Sequence, residues 1–179
     1  MKNLRAIEIY NSCRSIFVCE KSIHDLFLKL DQNGRFCLME GDLSVAFVSK
    51  KKIRALHGVF LGDDSATDVI TFPGDPELNF AGEIVVCLSY ALEQSKIYGT
   101  TFEEEVKLYL VHGFLHLCGL GDKTIEEARE MRLGEAFCIN FLKNFPLQIT
   151  PGAPPRTPQG VGDSLVSLQE SRGEAAGLL

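Results

Sequence analysis

Apolar and polar positions along the chain follow two different periods. Alternating or short apolar segments predict four strands, in IEIYN, DLSVAFVS, DVITF and GEIVVCL. Apolar residues spaced three and four apart predict five helices, in SIHDLFLKLDQNG, KKKIRALHGVFL, SYALEQSKIYG, TTFEEEVKLYLVHGFLHLCG and TIEEAREMRLGEAFCINFLKNF. Strands mixed with helices in this way predict an α+β fold, with one mixed four-stranded sheet packed with about five helices.

Polar residues at the ends of these segments predict where the helices begin. Ser22 is the expected N-cap of the first helix, and Thr100 or Thr101 is that of the fourth, which has acids in its first turn. The fifth helix opens on Thr124, followed three residues later by Glu127, which has the form of a capping box.

The composition changes after Phe145. Residues 146–179 contain five of the seven prolines and five glycines, with no sustained period. Such a segment cannot bury enough apolar surface to offset the entropy lost on folding, so we expect it to be disordered. The sequence therefore predicts a domain over residues 1–145 and a Pro/Gly-rich tail over 146–179, with a docking role for SLVSLQE as the alternative.

Charge limits the classes of partner. The formal net charge of −6 argues against broad, unaided binding to nucleic acid. The local exception is the basic cluster Lys50, Lys51, Lys52 and Arg54. Two interpretations of it stay open, a solvated helix start and a patch that tracks phosphates.

The cellular location is predicted from the lack of a signal peptide, a membrane helix and paired cysteines in the sequence. The first residues, MKNLRAIEIYNS, do not form the apolar stretch of a signal peptide, and no apolar run has the roughly 18 residues of a membrane helix. The six cysteines show no CxxC pair. We expect a soluble, cytoplasmic protein with reduced cysteines and no membrane partner.

The segment LVHGFLHLCGLGD contains a candidate metal site. His112 and His116 are four residues apart, so a helix places both on one face, where two imidazoles can bind one tetrahedral ion. Gly119 and Gly121 can end the helix and reverse the chain, which lets Asp122 supply a third ligand. The alternative is a pair of core histidines and an acid that caps the last helix.

The residue after the first histidine indicates whether such a site would cleave peptides or phosphodiesters. A metal held by three side chains keeps one position for water, whose pKa falls to about 7. Peptidases with the HExxH motif place a glutamate after the first histidine as general base, and this chain has Gly113 there. Phosphodiester cleavage depends more on charge neutralisation and positioning, so it fits a metal beside a basic patch better.

Three motifs together resemble one known family. HGFLHLCGLGD resembles the HGxLHLxGxDH signature of the YbeY family, bacterial metal-dependent endoribonucleases of ribosomal RNA maturation. ATDVITFP and GEIVVC resemble that family's PTDVLSFP and GDIxI strands. Order and spacing match from about Ile7 to Phe145, which leaves only the tail outside.

The resemblance implies a zincin-like fold, with one zinc ion per chain at the end of the central motif helix. It implies His112 and His116 as ligands, and Asp122 aligns with the family's third histidine. It also implies cleavage of single-stranded RNA in 16S rRNA 3′-end maturation and ribosome quality control, with ribosomal RNA and the ribosome as partners. The basic cluster is then the candidate contact with the RNA backbone.

One departure from the family affects the predicted activity. Leu61 stands where the family usually has an arginine that helps catalysis or RNA binding, so the catalytic residue stays unassigned. The leading hypothesis is a zinc-dependent endoribonuclease. The alternative is a ribosome-associated zinc-binding protein with weak or lost nuclease activity, and Gly113 disfavours a third, a metallopeptidase.

Overall fold

The computed structural model describes residues 5–152. The strands are β1 (Ile7–Asn11), β2 (Ile16–Val18), β3 (Asp42–Val48), β4 (Val69–Asp75), β5 (Phe80–Cys87) and β6 (Ile149–Pro151). The helices are α1 (Glu20–Leu30), α2 (Lys50–Leu61), α3 (Leu88–Tyr98), α4 (Phe102–Leu117) and α5 (Ile125–Phe141), with a 3-10 turn at Pro76–Leu78. The predicted α+β class, with one mixed four-stranded sheet and five helices, is confirmed.

The main sheet has the strand order β1-β3-β5-β4. β1, β3 and β5 are parallel, whereas β4 runs antiparallel to β5 and forms one edge. Val45 of β3 pairs with Ile9 on one side and with Ile84 on the other. Parallel neighbours need a long crossover, which the helices supply, while the antiparallel β4 and β5 are joined by a short turn.

Apolar side chains are buried on both faces of this sheet. Val45 and Ile84 face the larger core, which also contains residues of α1, α3, α4 and α5. Ala46 and Val48 face the other way, in a smaller cluster with Ile53 of α2. A strand that is buried on both faces does not alternate apolar and polar residues as a strand with one exposed face does. The continuous apolar run VAFV in β3 is an example. The sheet thereby fixes α4, the helix that contains both candidate histidines, in the larger layer.

α4 and α5 begin at predicted N-caps. The Thr101 hydroxyl accepts from the backbone N–H of Glu104 at 3.1 Å, and the Glu104 carboxylate accepts from the N–H of Thr101 at 2.8 Å. The second capping box, at Thr124, forms in the same way. The N-cap predicted for α1 is wrong, because that helix begins after Cys19 and the Ser22 hydroxyl donates back to the Cys19 carbonyl. Among the helices of residues 5–152, none is long and apolar enough to cross a membrane.

Strand structure continues past residue 145, where the composition predicted the start of a disordered tail. β6 pairs antiparallel with β2, with Thr150 opposite Phe17. Leu147 and Ile149 are only 3% and 4% exposed. The short segment Ile149–Pro151 forms a strand because β2 supplies the hydrogen-bonding partner, which a local composition count does not detect. Residues 153–179, including SLVSLQE, lie outside the described part of the chain.

Candidate metal centre

The two motif histidines lie in the last two turns of α4. Their rings meet edge to face, with centroids 4.4 Å apart, and their Nε2 atoms are 2.9 Å apart. Gly113, next to His112, packs against β5 so closely that an added Cβ would lie 2.6 Å from Cγ2 of Ile84. This contact fixes the rotation of α4 against the sheet, and with it the direction of both histidines.

A glycine turn ends α4 beside the second histidine. Gly119 has φ of 95°, in the left-handed region that glycine adopts without strain. Its N–H donates to the carbonyl of His116 at 2.9 Å, and the N–H of Leu120 donates to the carbonyl of Leu115 at 3.0 Å. These two hydrogen bonds reverse the chain, as the glycines in the sequence predict.

The reversed chain places Asp122 beside both imidazoles. Its Oδ2 atom is 3.4 Å from Nε2 of His116 and 3.7 Å from Nε2 of His112. One ligand atom from each of the three residues lies within 4.8 Å of the other two. The structure therefore gathers the three residues that the sequence names as metal ligands into one group that can hold an ion.

The outward nitrogen of each imidazole also has a partner. Nδ1 of His112 lies 2.6 Å from Oε1 of Glu135 on α5. Nδ1 of His116 lies 2.9 Å from the backbone carbonyl of Leu120. A carbonyl and an ionised carboxylate are both hydrogen-bond acceptors, so each Nδ1 donates. Each ring is thereby oriented with Nε2 toward the other ring and Asp122.

The chemistry of this group fits a metal ion. With a proton on each Nδ1, both Nε2 atoms present lone pairs, and the Asp122 carboxylate adds a negative charge. Two acceptor nitrogens 2.9 Å apart repel each other unless a proton or a cation lies between them. Two imidazoles and one carboxylate are also a usual ligand set for zinc.

The electrostatics of His112 also favour positive charge. Burial lowers the pKa of His112, but the hydrogen bond and the charge of Glu135 outweigh it, with smaller contributions from Asp68 and Asp122. The net effect raises the pKa above its usual value. A site that attracts a proton in this way also attracts a metal cation.

The centre is open to solvent on one side. The histidine side chains are 20% and 23% exposed, whereas that of Asp122 is 45% exposed. The two nitrogen ligands are thus held in the protein, and a substrate can approach along the carboxylate.

The structure groups three of the four predicted RNA contacts around one cavity. The cavity, of about 630 Å³, is lined by Lys50, Lys51, Arg54, Ala55, Asp64, Ser65 and Ala66. Lys52 is not among the lining residues. Lys50 lies 2.5 Å from the carboxylate of Glu93, and Nε of Arg54 donates to the carbonyl of Asp64 at 2.9 Å. Two of the cations therefore already have partners within the chain.

Leu61, at the position where the resemblance to the family predicts an arginine, is the last residue of α2. Gly62 follows it with φ of 70° and ends the helix. The helix end places position 61 at the start of the connection to β4. Arg54 lies two helical turns earlier, and its hydrogen bond holds that same connection.

Gly113 also decides against the peptidase motif. A glutamate at this position would start with its Cβ 2.6 Å from Ile84, on the side of α4 that packs on the sheet. A general base needs to reach the metal-bound site, and position 113 faces the core instead.

Glu135 is the site residue that sequence reasoning missed. It lies 23 residues after His112 and matches no ligand spacing. One signal was available: Met131 and Cys138, four residues before and three after, form the buried stripe of α5. A charged residue in such a stripe is unusual unless it has a partner.

Taken with the fold, this geometry defines an α+β protein with a two-histidine, one-carboxylate centre that can hold a metal ion at the end of its central helix. A sequence model described as endoribonuclease YbeY matches residues 11–143. The chain belongs to the YbeY family of endoribonucleases, in agreement with the resemblance of its motifs.

Relatives and a solved structure agree with this assignment. The endoribonuclease YbeY of Staphylococcus aureus strain JH9 is 34% identical over 122 residues, which cover 62% of this chain and 78% of the relative. The protein of strain Newman matches to the same extent. The solution structure of TM1509 from Thermotoga maritima aligns with a TM-score of 0.52 and 27% identity, covering 78% of this chain and 93% of that one.

Proposed function

We propose that this protein is a zinc-dependent endoribonuclease that cleaves single-stranded RNA. In this proposal it binds the ribosome in the cytoplasm and acts in 16S rRNA 3′-end maturation and ribosome quality control. The observation that carries the proposal is the convergence of His112, His116 and Asp122 within 4.8 Å in a member of an endoribonuclease family.

The ligand set supports zinc, with one ion per chain. Zinc accepts imidazole nitrogen and carboxylate oxygen, and catalytic zinc sites commonly have three protein ligands and one open position. Calcium and magnesium prefer sites made of oxygen ligands, so the two nitrogens of His112 and His116 disfavour them. Residues 5–152 contain one such group of three ligands, which takes a single ion.

The residues around the centre determine how a zinc ion would be held and what it could do. Zinc supplies Lewis acidity toward a phosphoryl oxygen and a bound water of lowered pKa. His112 and His116 hold their Nε2 atoms inward through the hydrogen bonds of their outer nitrogens. Asp122 would add a negative charge to the ligand set, so water on a zinc ion held here would be less acidic than at a three-histidine site. The open side at Asp122 is where RNA would approach.

The basic cluster supports a backbone contact with RNA. Lys51 and Lys52 are exposed, and Lys50 and Arg54 line the same cavity as Lys51. Lysine and arginine side chains bind phosphates without reading sequence, which suits the positioning of a single strand. We propose these four residues as the RNA-backbone contact.

Metal content and RNA cleavage test the proposal together. Purified protein should contain one zinc per chain by plasma mass spectrometry, and cleave a fluorogenic single-stranded RNA faster than the same sequence in a duplex. His116→Ala should lose both zinc and cleavage, because it removes a central ligand. His24→Ala, at a partly exposed histidine of α1, is the matched control. Wild type without stoichiometric zinc, or His116→Ala with full metal and activity, would contradict the proposal.

Leu61 supports a second candidate function, a ribosome-associated zinc-binding protein with weak or lost nuclease activity. A transition-state-stabilising group typically contributes about 10²–10³ in rate. A chain without the family arginine is expected to lack that contribution unless another cation replaces it. Arg54 is the nearest arginine along α2, and its Nε is already bonded to the Asp64 carbonyl.

Restoring the arginine separates the two functions. If the site is impaired, Leu61→Arg should raise single-strand cleavage by about 10²–10³, because it returns the missing cation. If the chain is a competent nuclease as it stands, the change should stay below about tenfold. Leu61→Gln, which introduces a polar side chain without a charge, is the control. Initial rates on one RNA under saturating zinc give the comparison.

A further inference from the structure

We infer that Glu135 of α5 is a positioning residue of the metal centre, which acts through His112. Its carboxylate holds the imidazole in the orientation and tautomer that point Nε2 at the ion. The inference rests on the proposed function only in needing a metal at the centre, and it does not depend on RNA cleavage.

The contact has the geometry of a charge-assisted hydrogen bond. Oε1 of Glu135 lies 2.6 Å from Nδ1 of His112, and each side chain is only 20% exposed. Such bonds between a charged and a polar group are short and about twice as strong as neutral ones. Because the carboxylate accepts, Nδ1 keeps its proton and Nε2 keeps the lone pair that a metal needs.

The packing of α5 on α4 is what places the carboxylate there. Gly134 is buried, and an added Cβ would lie 3.1 Å from Cδ1 of Leu115 on α4, so the two helices approach closely at this point. Met131 and Cys138 continue the same buried stripe. A carboxylate in an apolar interface is costly unless it is paired, and His112 is the partner that the interface offers.

The second histidine provides an internal comparison. Nδ1 of His116 donates to the backbone carbonyl of Leu120, a neutral acceptor that the turn fixes by itself. Only His112 has an ionised acceptor from another helix. With Asp122, two carboxylates therefore contact the imidazoles of the centre, one at the outward nitrogen of His112 and one beside both Nε2 atoms.

Zinc affinity of the full chain tests the inference. Glu135→Gln keeps the size of the side chain and removes its charge. We expect the dissociation constant for zinc, measured against a chromogenic chelator, to rise by about 10- to 100-fold. Glu130→Gln, an exposed glutamate of the same helix, should leave it unchanged. The visible spectrum of the cobalt-loaded protein should change in Glu135→Gln only, since it reports the ligand field of the ion.

A double-mutant cycle tests whether Glu135 affects zinc binding through His112. In a His112→Ala background, Glu135→Gln should alter the residual zinc affinity by less than about threefold, because the ring through which Glu135 acts is gone. A full effect in that background, or wild-type affinity and cobalt spectrum in Glu135→Gln, would refute the inference. If Glu135→Gln does not fold, Glu135→Asp replaces it. That shorter carboxylate should weaken zinc binding, and wild-type affinity there would also refute the inference.

The outcomes separate this inference from the proposed function. Wild type that binds zinc but cleaves no RNA contradicts the nuclease proposal and leaves the Glu135 result valid. Wild type that binds no zinc contradicts both. Wild type that binds zinc and cleaves RNA, beside an unaffected Glu135→Gln, contradicts the positioning role alone.

Discussion

Asp122 has the weakest packing of the three candidate ligands. Its carboxylate is 45% exposed, and its Oδ2 is 3.4 Å and 3.7 Å from the two imidazole nitrogens, which are themselves 2.9 Å apart. The turn after α4 holds the backbone before it, and the N–H of Lys123, which donates to the Glu127 carboxylate at 2.9 Å, holds the backbone after it. Its contribution to metal binding can therefore be measured without disturbing the core.

Two substitutions of Asp122 test its role as third ligand. Asp122→Ala should weaken zinc binding by more than the roughly 10- to 100-fold typical of outer residues, because it removes a direct ligand. Asp122→His should retain zinc, because it provides a nitrogen ligand in the same turn. The measurement is zinc content after dialysis against a weak chelator. Lys123→Ala, at the next exposed position, is the control, and wild-type zinc affinity in Asp122→Ala would remove Asp122 from the ligand set.

Residue spacing predicted part of this centre and missed the rest. His112 and His116 were found because four residues bring two side chains to one helix face. Asp122 was found because glycines precede it. Glu135 was not found because α4 and α5 bring it to His112 only when they pack.

At the scale of elements, α4 is defined by its two ends and one close contact. The capping box at Thr101 and Glu104 starts it, and the turn at Gly119 ends it. Both signals are local, so the sequence predicted them. The packing of Gly113 on Ile84 joins elements that are distant along the chain, and only the fold shows it.

A methyl group at position 113 tests that contact. Helix propensity favours alanine over glycine by about 1 kcal/mol, whereas overpacking a core costs about 1–3 kcal/mol. We expect Gly113→Ala to lower the free energy of unfolding by up to about 2 kcal/mol, measured by urea denaturation. In an Ile84→Ala background the same change should be neutral or stabilising, since the clashing group is absent. Equal effects in both backgrounds would show that the contact does not limit the helix.

In the molecule as a whole, the segment after α5 packs beside β2, near the start of the chain. β6 pairs with β2, Nζ of Lys107 donates to the carbonyl of Phe145 at 2.8 Å, and the N–H of Leu147 donates to Glu103 at 3.0 Å. These contacts tie the segment to α4 as well as to β2. The folded unit therefore extends through residues that the composition assigned to a tail.

Two truncations test where the folded unit ends. A chain that stops at Phe145 loses β6 and the buried side chains of Leu147 and Ile149, each contributing about 1.5–3 kcal/mol. We expect its free energy of unfolding to fall by about 3–6 kcal/mol relative to a chain that stops at Gly152. The latter keeps every contact described for residues 5–152. Equal urea midpoints for the two truncations would contradict this boundary.

The pattern of residues along the chain was enough to predict the α+β class, the strands of the main sheet, the five helices, and the local group of His112, His116 and Asp122. Each follows from residues close to one another along the chain, where the local backbone geometry fixes which side chains share a face. The folded molecule was needed to find the β2–β6 pair, the direction that Gly113 faces, and the partner of His112. Those depend on packing between distant segments, which is set by burial and shape and not by spacing along the chain.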